Sequence, residues 1–407
     1  MLCGKIILDI FVTGTESLIL TKDLRHTISH IIVAAALFLH GSTSALSQEL
    51  QSPQRWLNEL HTVIPLFRPD TVTIRFLGDI MMHGKQIENA HRGGSSYDFS
   101  SYFKLIKDKL AEADLTVANM EFALGGEPYS GYPAFSAPDE IATYAAGCGI
   151  DIFLAANNHI YDKGMSGAER TLDIYRELHD SHGIMFTGLA SDPTEEGCNN
   201  PLMTAVKGIR LAFINMTYAT NGGRRKGWPK VNYLDNKEDM LLAINTAQGK
   251  YADIIIALPH WGNEYELRHS AEQENTARWL SDKGVDLIIG AHPHVVQDST
   301  TIRNVKECRF TPTVYSLGNA VSNMSAKNTQ LELMATVRIV RDTDGKVRQL
   351  PVELTFLWCS RPGGFNDSYT VIPVEEYLDK AYLWTGEWDH SNMVSTYERV
   401  KNTTGIK

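Results

Sequence analysis

The residues of this sequence best suited to chemistry stand directly after apolar runs. Asp79 follows the run TVTIRFLG, and His260 follows DIIIALP. His292 and His294 lie in the segment GAHPH, which begins where the run DLIIG ends. Two imidazoles beyond a buried strand are typical ligands of a transition metal. We therefore predict that this segment supplies two histidines to a metal-dependent phosphoesterase-like site.

Two other apolar runs are followed by polar residues of the same kind. These are Asn119 and Glu121 after DLTVA, and Asn157, Asn158, His159 and Asp162 after DIFLAA. Because the carboxyl ends of the strands of an open α/β sheet form its binding crevice, all these groups are predicted to converge on one edge. A single strand-end aspartate usually forms a turn or caps a helix. Five such elements, each after a separate apolar run, favour a site.

The mixture of donor atoms indicates which ion would bind. Imidazole nitrogen combined with carboxylate and amide oxygen suits Zn²⁺, Mn²⁺ or Fe, whereas Mg²⁺ and Ca²⁺ favour oxygen alone. Two such ions, about 3.5–4 Å apart, activate a water and hold the oxygens of a transferring phosphoryl group. Asp79 or Glu121 could bridge them. The predicted cofactor is one or two divalent transition-metal ions.

Helix-like and strand-like segments alternate along the chain after residue 70, which predicts an α/β fold. The predicted strands are 71–77, 115–117, 151–155, 210–215, 253–258, 286–289 and 313–315, and the predicted helices are 103–113, 138–146, 166–182, 237–248 and 270–283. Apolar runs without alternation suit strands buried on both faces, with helices on both sides of the sheet. Residues 331–340 and 347–356 alternate around DTDG, which indicates a hairpin.

The charge balance excludes one class of partner. The net charge is 38 − 48 = −10, and a protein that binds nucleic acid through its phosphates usually carries a basic face. The short run Arg224-Arg225-Lys226 is interpreted as a solvated loop. Nucleic acid is therefore excluded as a partner, and an anionic substrate requires a metal to supply local positive charge.

The N-terminus resembles an export signal. Lys22 and Arg25 precede an apolar run at residues 31–39, and small residues follow at 42–45. This pattern predicts a signal peptide, with cleavage after Ala45 or Ser47 and a periplasmic or cell-surface location; a buried helix is the alternative. The predicted organisation is a signal peptide with a preceding extension at 1–47, a linker at 48–70, a domain at 71–360 that carries the motif residues, and a C-terminal extension packed on it at 361–407.

The cysteines leave their pairing open. Cys148, Cys198, Cys308 and Cys359 follow the predicted signal, widely spaced and without a CxxC motif. That spacing does not predict a zinc cluster. One or two disulfides and buried free thiols are equally compatible with an exported chain.

Taken in order, the motifs resemble those of the CapA family of capsule synthesis (poly-γ-glutamate biosynthesis) proteins, within the calcineurin-like metallophosphatase superfamily. They are GDIM at 78–81, NME at 119–121, NNH at 157–159 with Asp162 and Gly164, HWG at 260–262 with Glu264, GAHPH at 290–294 and YSLGN at 315–319. The resemblance covers about residues 72–325. It implies a metallophosphatase-like four-layer α/β/β/α sandwich.

The same resemblance implies roles for individual residues. The implied metal ligands are Asp79, Glu121, Asn158, His260, His292 and His294. His159 is the implied acid that protonates the leaving oxygen, and Asp162 is the other predicted catalytic residue. Asn119, Asn157, Glu264, Ser316 and Asn319 are predicted to orient the ligands through hydrogen bonds; for Ser316 and Asn319 the alternative is that they only form the turn after a strand.

The sequence departs from the superfamily pattern at its first motif. The superfamily usually offers Asp-x-His, whereas Asp79 is followed by Ile80 and Met81, and His83 lies four residues on. This leaves open a one-metal site or an altered second site. Ala320 also replaces the phenylalanine that usually follows the SLGN motif.

Three functions follow as hypotheses. The first is an exported CapA-like protein of capsule or poly-γ-glutamate biosynthesis that hydrolyses phosphoester-type bonds with a metal-activated water. The second is a non-catalytic accessory protein that binds an anionic polymer during synthesis or export, and the third is a metal-dependent amide hydrolase. The predicted partners are an anionic envelope polymer or phosphoester substrate and capsule-synthesis membrane proteins.

Overall fold

The computed structural model describes residues 71–304 and 309–406. The predicted signal peptide and linker lie outside these residues. Within the described part of the chain, no helix is both long enough and apolar enough to cross a membrane.

The described strands, in chain order, are β1 (Thr71–Ile80), β2 (Leu115–Met120), β3 (Ile152–Leu154), β4 (Met185–Thr187), β5 (Leu189–Ala190), β6 (Leu202–Val206), β7 (Ile209–Thr217), β8 (Lys230–Val231), β9 (Ile254–His260), β10 (Leu287–Ile289), β11 (Ser299–Asn304), β12 (Arg309–Val314), β13 (Leu331–Arg341), β14 (Val347–Gln349), β15 (Glu353–Ser360) and β16 (Thr370–Pro373). The described helices are α1 (Gly84–Ala90), α2 (Lys107–Ala111), α3 (Asp139–Gly147), α4 (Gly164–His182), α5 (Pro193–Asn199), α6 (Lys237–Gly249), α7 (Ala271–Lys283), α8 (Val374–Tyr377) and α9 (Glu387–Thr404), with a 3₁₀ turn at Ala381–Leu383.

Two large sheets contain the strands that carry the site. The first has the order β16-β15-β13-β1-β2-β3-β4, with β14 beside β13, and the second has the order β11-β12-β10-β9-β7-β6. Strands β1 to β4 run parallel, as do β7, β9, β10 and β12. Their carboxyl ends therefore share one edge in each sheet, which is the edge where the motif residues stand.

The hydrophobic core of the described residues divides into three clusters that define four layers. Leu211 and Phe213 of β7 lie in the cluster between the sheets, whereas the intervening Ala212 and Ile214 face helices α6 and α7. A third cluster joins the outer face of the first sheet to α3 and α4. This alternation follows from the opposite directions of successive strand side chains, and it confirms the predicted α/β/β/α sandwich.

Two predicted elements differ from the structure. The helix predicted at 103–113 is shorter in the structure and is confined to α2. Tyr102, Phe103 and Ile106 lie in turns that precede α2 and are fully buried. The second half of the predicted hairpin is divided into β14 and β15. Pro351 stands between them and has no N–H to continue the ladder.

The C-terminal residues contact both the first sheet and the space between the sheets. Strand β16 pairs with β15, and Met393 and Val400 of α9 belong to the core between the sheets. The buried Asp389 accepts hydrogen bonds from Ser360 at 2.7 Å and from the Trp384 indole at 3.1 Å. These bonds attach α9 to the end of β15.

The described cysteines are free thiols. Cys148 and Cys359 are buried and Cys198 is exposed, while Cys308 lies outside the described residues. Burial raises the pKa values of the Cys148 and Cys359 thiols. Both buried side chains therefore act as small apolar residues of the core.

Candidate metal centre

Glycines of the sequence motifs allow three loops to meet at the carboxyl edge. A Cβ on Gly78 would lie 1.9 Å from the carbonyl oxygen of Gly318, and a Cβ on Gly290 would lie 2.1 Å from that of Tyr315. The loop after β12 thus packs directly on the segments that carry Asp79 and the two histidines. The indole of Trp261 donates to the Tyr315 carbonyl at 2.9 Å and is buried, so Trp261 packs this junction.

Asp79 is completely buried at the end of β1 and is held by two donors. Its Oδ1 accepts from the Asn119 amide at 2.6 Å, and its Oδ2 accepts from the His292 backbone N–H at 3.1 Å. Its Oδ2 lies 3.6 Å from His294 Nδ1. Asn119 therefore orients Asp79, as the sequence predicts, and Asp79 links the two sheets.

Glu121 is completely buried, and neither of its carboxylate oxygens has a hydrogen-bond partner. Oε1 lies 3.5 Å from His260 Nε2, and Oε2 lies 3.8 Å from His294 Nδ1. His292 Nδ1 is also buried without a partner. Buried polar groups are almost always hydrogen-bonded. Glu121 and His292 also belong to one group of residues whose ligand atoms lie within 4.8 Å of one another, so a bound cation would satisfy these unpartnered atoms.

The protonation states also suit a cation. Burial lowers the pKa values of His260 and His292 well below the ordinary histidine value, and it lowers that of His294. The histidines are thus neutral, which is the form that binds metal. Burial raises the pKa values of Asp79 and Glu121, and for Glu121 the neighbouring Asp79 carboxylate raises it further. Positive charge between them would reverse that shift.

The candidate ligands form three overlapping groups whose donor atoms lie within 4.8 Å of one another. The groups are Glu121 with His260 and His292, Asp79 with Glu121 and His294, and Glu264 with His292 and His294. Glu121 belongs to two groups and could be shared by two ions. Glu264 is exposed and stands at the rim, where its carboxylate reaches the histidines themselves. Its position is that of an additional candidate ligand, whereas the sequence predicts only an orienting role for it.

Asn158, the candidate amide ligand, lies beside His260 of the second sheet. Asn158 Oδ1 is 2.8 Å from His260 Nε2, so the two predicted donor atoms face each other. Asn157, one residue earlier, donates to the Met120 carbonyl at 2.9 Å and accepts from the His159 backbone N–H at 3.1 Å. Asn157 therefore fixes the turn that presents Asn158 and His159.

His159 and Asp162 form a pair next to the ligands. His159 Nδ1 is 2.7 Å from Asp162 Oδ2, which also accepts from the Phe135 backbone N–H at 2.8 Å. The rings of Phe135 and His159 pack edge to face, with their centroids 4.5 Å apart. Since a carboxylate only accepts, Asp162 holds the proton on Nδ1 and leaves Nε2 for exchange with a substrate.

The loop after β12 contributes one contact to the ligands and one to the backbone. Asn319 Oδ1 lies 3.0 Å from His294 Nδ1, and its amide donates to Ser322 and to the Thr329 carbonyl. Ser316 instead donates to the Val295 carbonyl at 2.8 Å. Asn319 orients a candidate ligand, whereas Ser316 fixes the turn beside it.

The GAHPH segment has an uncommon backbone. His292 has φ = 97° and His294 has φ = 58°, which is the left-handed region that residues other than glycine rarely adopt. Such positions cost about 1–3 kcal/mol each and cluster at functional sites. This strained turn places the imidazoles of His292 and His294 at the same site.

Two residues near the centre have no counterpart among the sequence predictions. The Tyr218 ring lies 4.5 Å from the His292 ring, and the Asn221 backbone donates to the Asn158 carbonyl at 2.7 Å. The Asn221 side chain also lies 3.2 Å from His159 Nδ1. Both residues follow β7, whose carboxyl end shares the site edge, so the strand-end rule applied to β7 would have found them.

Comparisons with known proteins show which family and which relatives the chain resembles. A family model described as bacterial capsule synthesis protein PGA_cap matches residues 73–324. The capsule biosynthesis protein CapA of Bacillus anthracis is 28% identical over 281 residues, 65% of this chain and 64% of that protein. The chain thus spans less than two thirds of that relative's length. The PGA biosynthesis protein CapA of Bacillus subtilis is 23% identical over 311 residues, 74% of this chain and 76% of that protein.

Solved structures also resemble the chain. The 5'-nucleotidase precursor of Thermus thermophilus has a TM-score of 0.44 and 13% identity, covering 81% of this chain and 59% of that one. The calcineurin-like phosphoesterase YfkN of Bacillus subtilis has a TM-score of 0.43 and 14% identity, covering 83% of this chain and 98% of that one.

Proposed function

The chain belongs to the bacterial capsule synthesis protein PGA_cap family, and we propose that it is an exported, metal-dependent hydrolase of phosphoester-type bonds in a capsule or cell-envelope polymer. One observation carries the hydrolase part of this proposal. The orphaned oxygens of Glu121 lie within 3.8 Å of the neutral, buried imidazoles of His260 and His294, which fits a divalent transition metal.

The residues present fit the ion that such chemistry requires. Those that would hold it are Asp79, Glu121, Asn158, His260, His292 and His294. When bound, the metal supplies a Lewis acid that polarises a phosphoryl oxygen and lowers the pKa of a water molecule. Zn, Mn and Fe all suit this donor set.

The chain's own contribution to bond cleavage centres on His159. With Nδ1 bound to Asp162 at 2.7 Å, a proton carried on Nε2 can pass to the oxygen of the leaving group. Phe135 packs against the ring and fixes its plane. His159 is only 4% exposed, so its rotation is restricted and bulk water has little access to the pair.

One observation favours the non-catalytic alternative. Met81, which stands where the superfamily usually has a histidine, is buried in the core on the outer face of the first sheet. One of the two ion positions of the superfamily pattern would therefore have one protein ligand fewer. An accessory protein that uses a single ion to hold an anionic polymer would tolerate this loss.

A substrate panel separates the three functions. The protein is purified without chelators, loaded in turn with Mn²⁺, Zn²⁺ or Fe²⁺, and assayed with bis(p-nitrophenyl) phosphate and with a γ-linked glutamate pentamer. Turnover of the phosphodiester, and its loss in His159→Gln, is the expected result. Cleavage of the pentamer alone would establish an amide hydrolase. Binding of the pentamer without turnover of either compound would establish the accessory role.

The proposed location needs its own test. Residues 1–60 are fused to an alkaline phosphatase that is active only outside the cytoplasm, and Lys22 and Arg25 are replaced by glutamate in a matched control. The proposal expects reporter activity from the native segment and its loss in the control. An inactive native fusion would contradict export.

A further inference from the structure

A second cleft lies on the first sheet, on the same edge as the metal centre. It encloses about 500 Å³, and its lining includes Lys85, Asn323, Arg361, Tyr369 and Trp388. Arg361 directly follows β15, and Tyr369 directly precedes β16. Because β15 and β1 are both antiparallel to β13, the end of β15 and the end of β1 face the same side. The two strands are two spacings, about 10 Å, apart across the sheet.

Arg361 is the uncompensated charge of this cleft. Lys85 is paired with Glu88 at 2.7 Å, so their charges cancel. Within residues 71–304 and 309–406, no carboxylate forms an ion pair with the Arg361 guanidinium, and its Nε is buried without a hydrogen-bond partner. A half-buried guanidinium without an anion is costly. Its planar fork matches the two oxygens of a carboxylate or phosphate.

The remaining lining of the cleft is fixed before any ligand arrives. The Tyr369 hydroxyl donates to Asn323 Oδ1 at 2.7 Å, which ties the start of β16 to the loop after β12. Trp388 is 50% exposed and contributes an apolar ring to the same cleft. An anionic group attached to a hydrocarbon backbone fits this pairing of charge and ring.

A row of rings connects the cleft to the catalytic pair. His83 Nδ1 accepts from the Asn323 backbone N–H at 3.3 Å, and the His83 ring meets Phe135 edge to face with centroids 5.2 Å apart. Phe135 in turn packs against His159. Asn323 lines the cleft together with Arg361, so the row of rings begins at the cleft wall. The cleft therefore adjoins the centre on the side of His159.

We propose that this cleft binds a carboxylate or phosphate group of the substrate chain, on the side of the bond whose leaving oxygen His159 protonates. The position of the cleft relative to the cleaved bond rests on the proposed function. The preference of the cleft for anions rests on Arg361 alone. An extended polymer would thus be held at two points, at the metal centre and at Arg361.

The test measures binding of defined probes to the full, metal-loaded chain by titration calorimetry. The probes are a γ-linked glutamate pentamer, its carboxamide analogue and inorganic phosphate. Arg361→Gln is expected to weaken pentamer binding about tenfold or more, and Arg361→Lys to recover part of the loss. Arg348→Gln, which removes the same charge from β14, is the matched control and should bind like wild type. Competition by phosphate in wild type but not in Arg361→Gln would identify a general oxyanion site rather than a carboxylate site.

Equal binding of the pentamer by wild type and Arg361→Gln, or equal binding of the pentamer and its carboxamide analogue by wild type, would overturn the proposal. Circular dichroism of both Arg361 variants checks that the fold is intact. If wild type turns over no substrate but Arg361→Gln still loses pentamer binding, the proposed function fails and the anion site stands.

Discussion

Replacing Glu121 by glutamine should change the stability of the protein in opposite directions without and with metal. The Glu121 carboxyl is completely buried, and both oxygens lack hydrogen-bond partners. Burial and the neighbouring Asp79 carboxylate raise the pKa of the Glu121 carboxyl. The stability that this carboxyl contributes to the metal-free fold is therefore complete only below its unfolded pKa near 4.5, and it is lost as the pH rises through the folded pKa. At pH 7.5 the carboxyl therefore destabilises the metal-free fold, and a neutral amide of the same shape removes that penalty.

The size of both effects can be worked out. Each unit by which the pKa of the carboxyl is raised costs the fold about 1.4 kcal/mol at a pH above that pKa, and the amide, although equally unpartnered, does not ionise and avoids this penalty. For a chain of this length 1 kcal/mol corresponds to about 2 °C in Tm. Metal-free Glu121→Gln should thus melt about 3 °C or more above wild type. A metal at a hundred times its Kd stabilises wild type by about 2.7 kcal/mol, or about 5 °C. If the amide binds about a hundredfold more weakly, the same concentration adds only about 0.4 kcal/mol.

Scanning calorimetry at pH 7.5, with EDTA and then with excess Zn²⁺ or Mn²⁺, measures both quantities on one sample. Glu332→Gln is the control, because Glu332 is equally buried but one of its oxygens accepts from the Gly78 backbone at 2.7 Å. It should retain the metal-dependent rise. A metal-free Glu121→Gln that melts below wild type, or one that keeps the full rise with metal, would refute the reasoning.

Three further predictions concern single side chains. His159→Gln should lower kcat for a phosphodiester by about 10²–10⁴-fold and leave the metal-dependent rise in Tm intact; loss of that rise would instead make His159 a ligand. Burial lowers the pKa of His83 to about 4 from 6.5, so its neutral form contributes stability that is present above pH 6.5 and lost as the pH falls towards 4. Urea titrations of His83→Asn should show up to about 3 kcal/mol less pH dependence over that interval, and an unchanged slope would contradict this. Gly78→Ala places a Cβ 1.9 Å from the Gly318 carbonyl and should cost about 2 kcal/mol or more in urea unfolding; wild-type stability would show that the loop can move away.

The convergence of the site could be predicted from the sequence because it follows from strand direction. Asp79, His260 and His292 are separated by long stretches of chain, yet each ends or follows a parallel strand. Parallel strands in a sheet bring their carboxyl ends to one edge, and the two sheets stack face to face. Sequence pattern alone therefore places the donors in one region.

Other features depend on contacts that no local pattern carries. Glu332 binds the backbone of Gly78 across 254 positions of sequence, and nothing in its own strand distinguishes it from a solvent-facing residue. The contact of Asn221 with His159 depends on the path of a glycine-containing loop. Arg361 follows β15 in a segment without motifs. Only the three-dimensional structure shows that no carboxylate among the described residues forms an ion pair with it.

The number of bound ions also does not follow from any local sequence pattern. The donor groups overlap at Glu121, so geometry permits one ion or two. The exposed Glu264 offers a further carboxylate at the rim, next to His292 and His294. A metal titration measures how many ions bind.

Metal analysis of the purified protein tests directly whether His292 and His294 hold a transition-metal ion. Wild type and the double variant His292→Ala with His294→Ala are prepared without chelators and measured by mass spectrometry of Zn, Mn and Fe. The account predicts at least one ion per wild-type chain and almost none in the variant. A folded wild type that contains none of these metals, and takes up none when they are supplied, would contradict it.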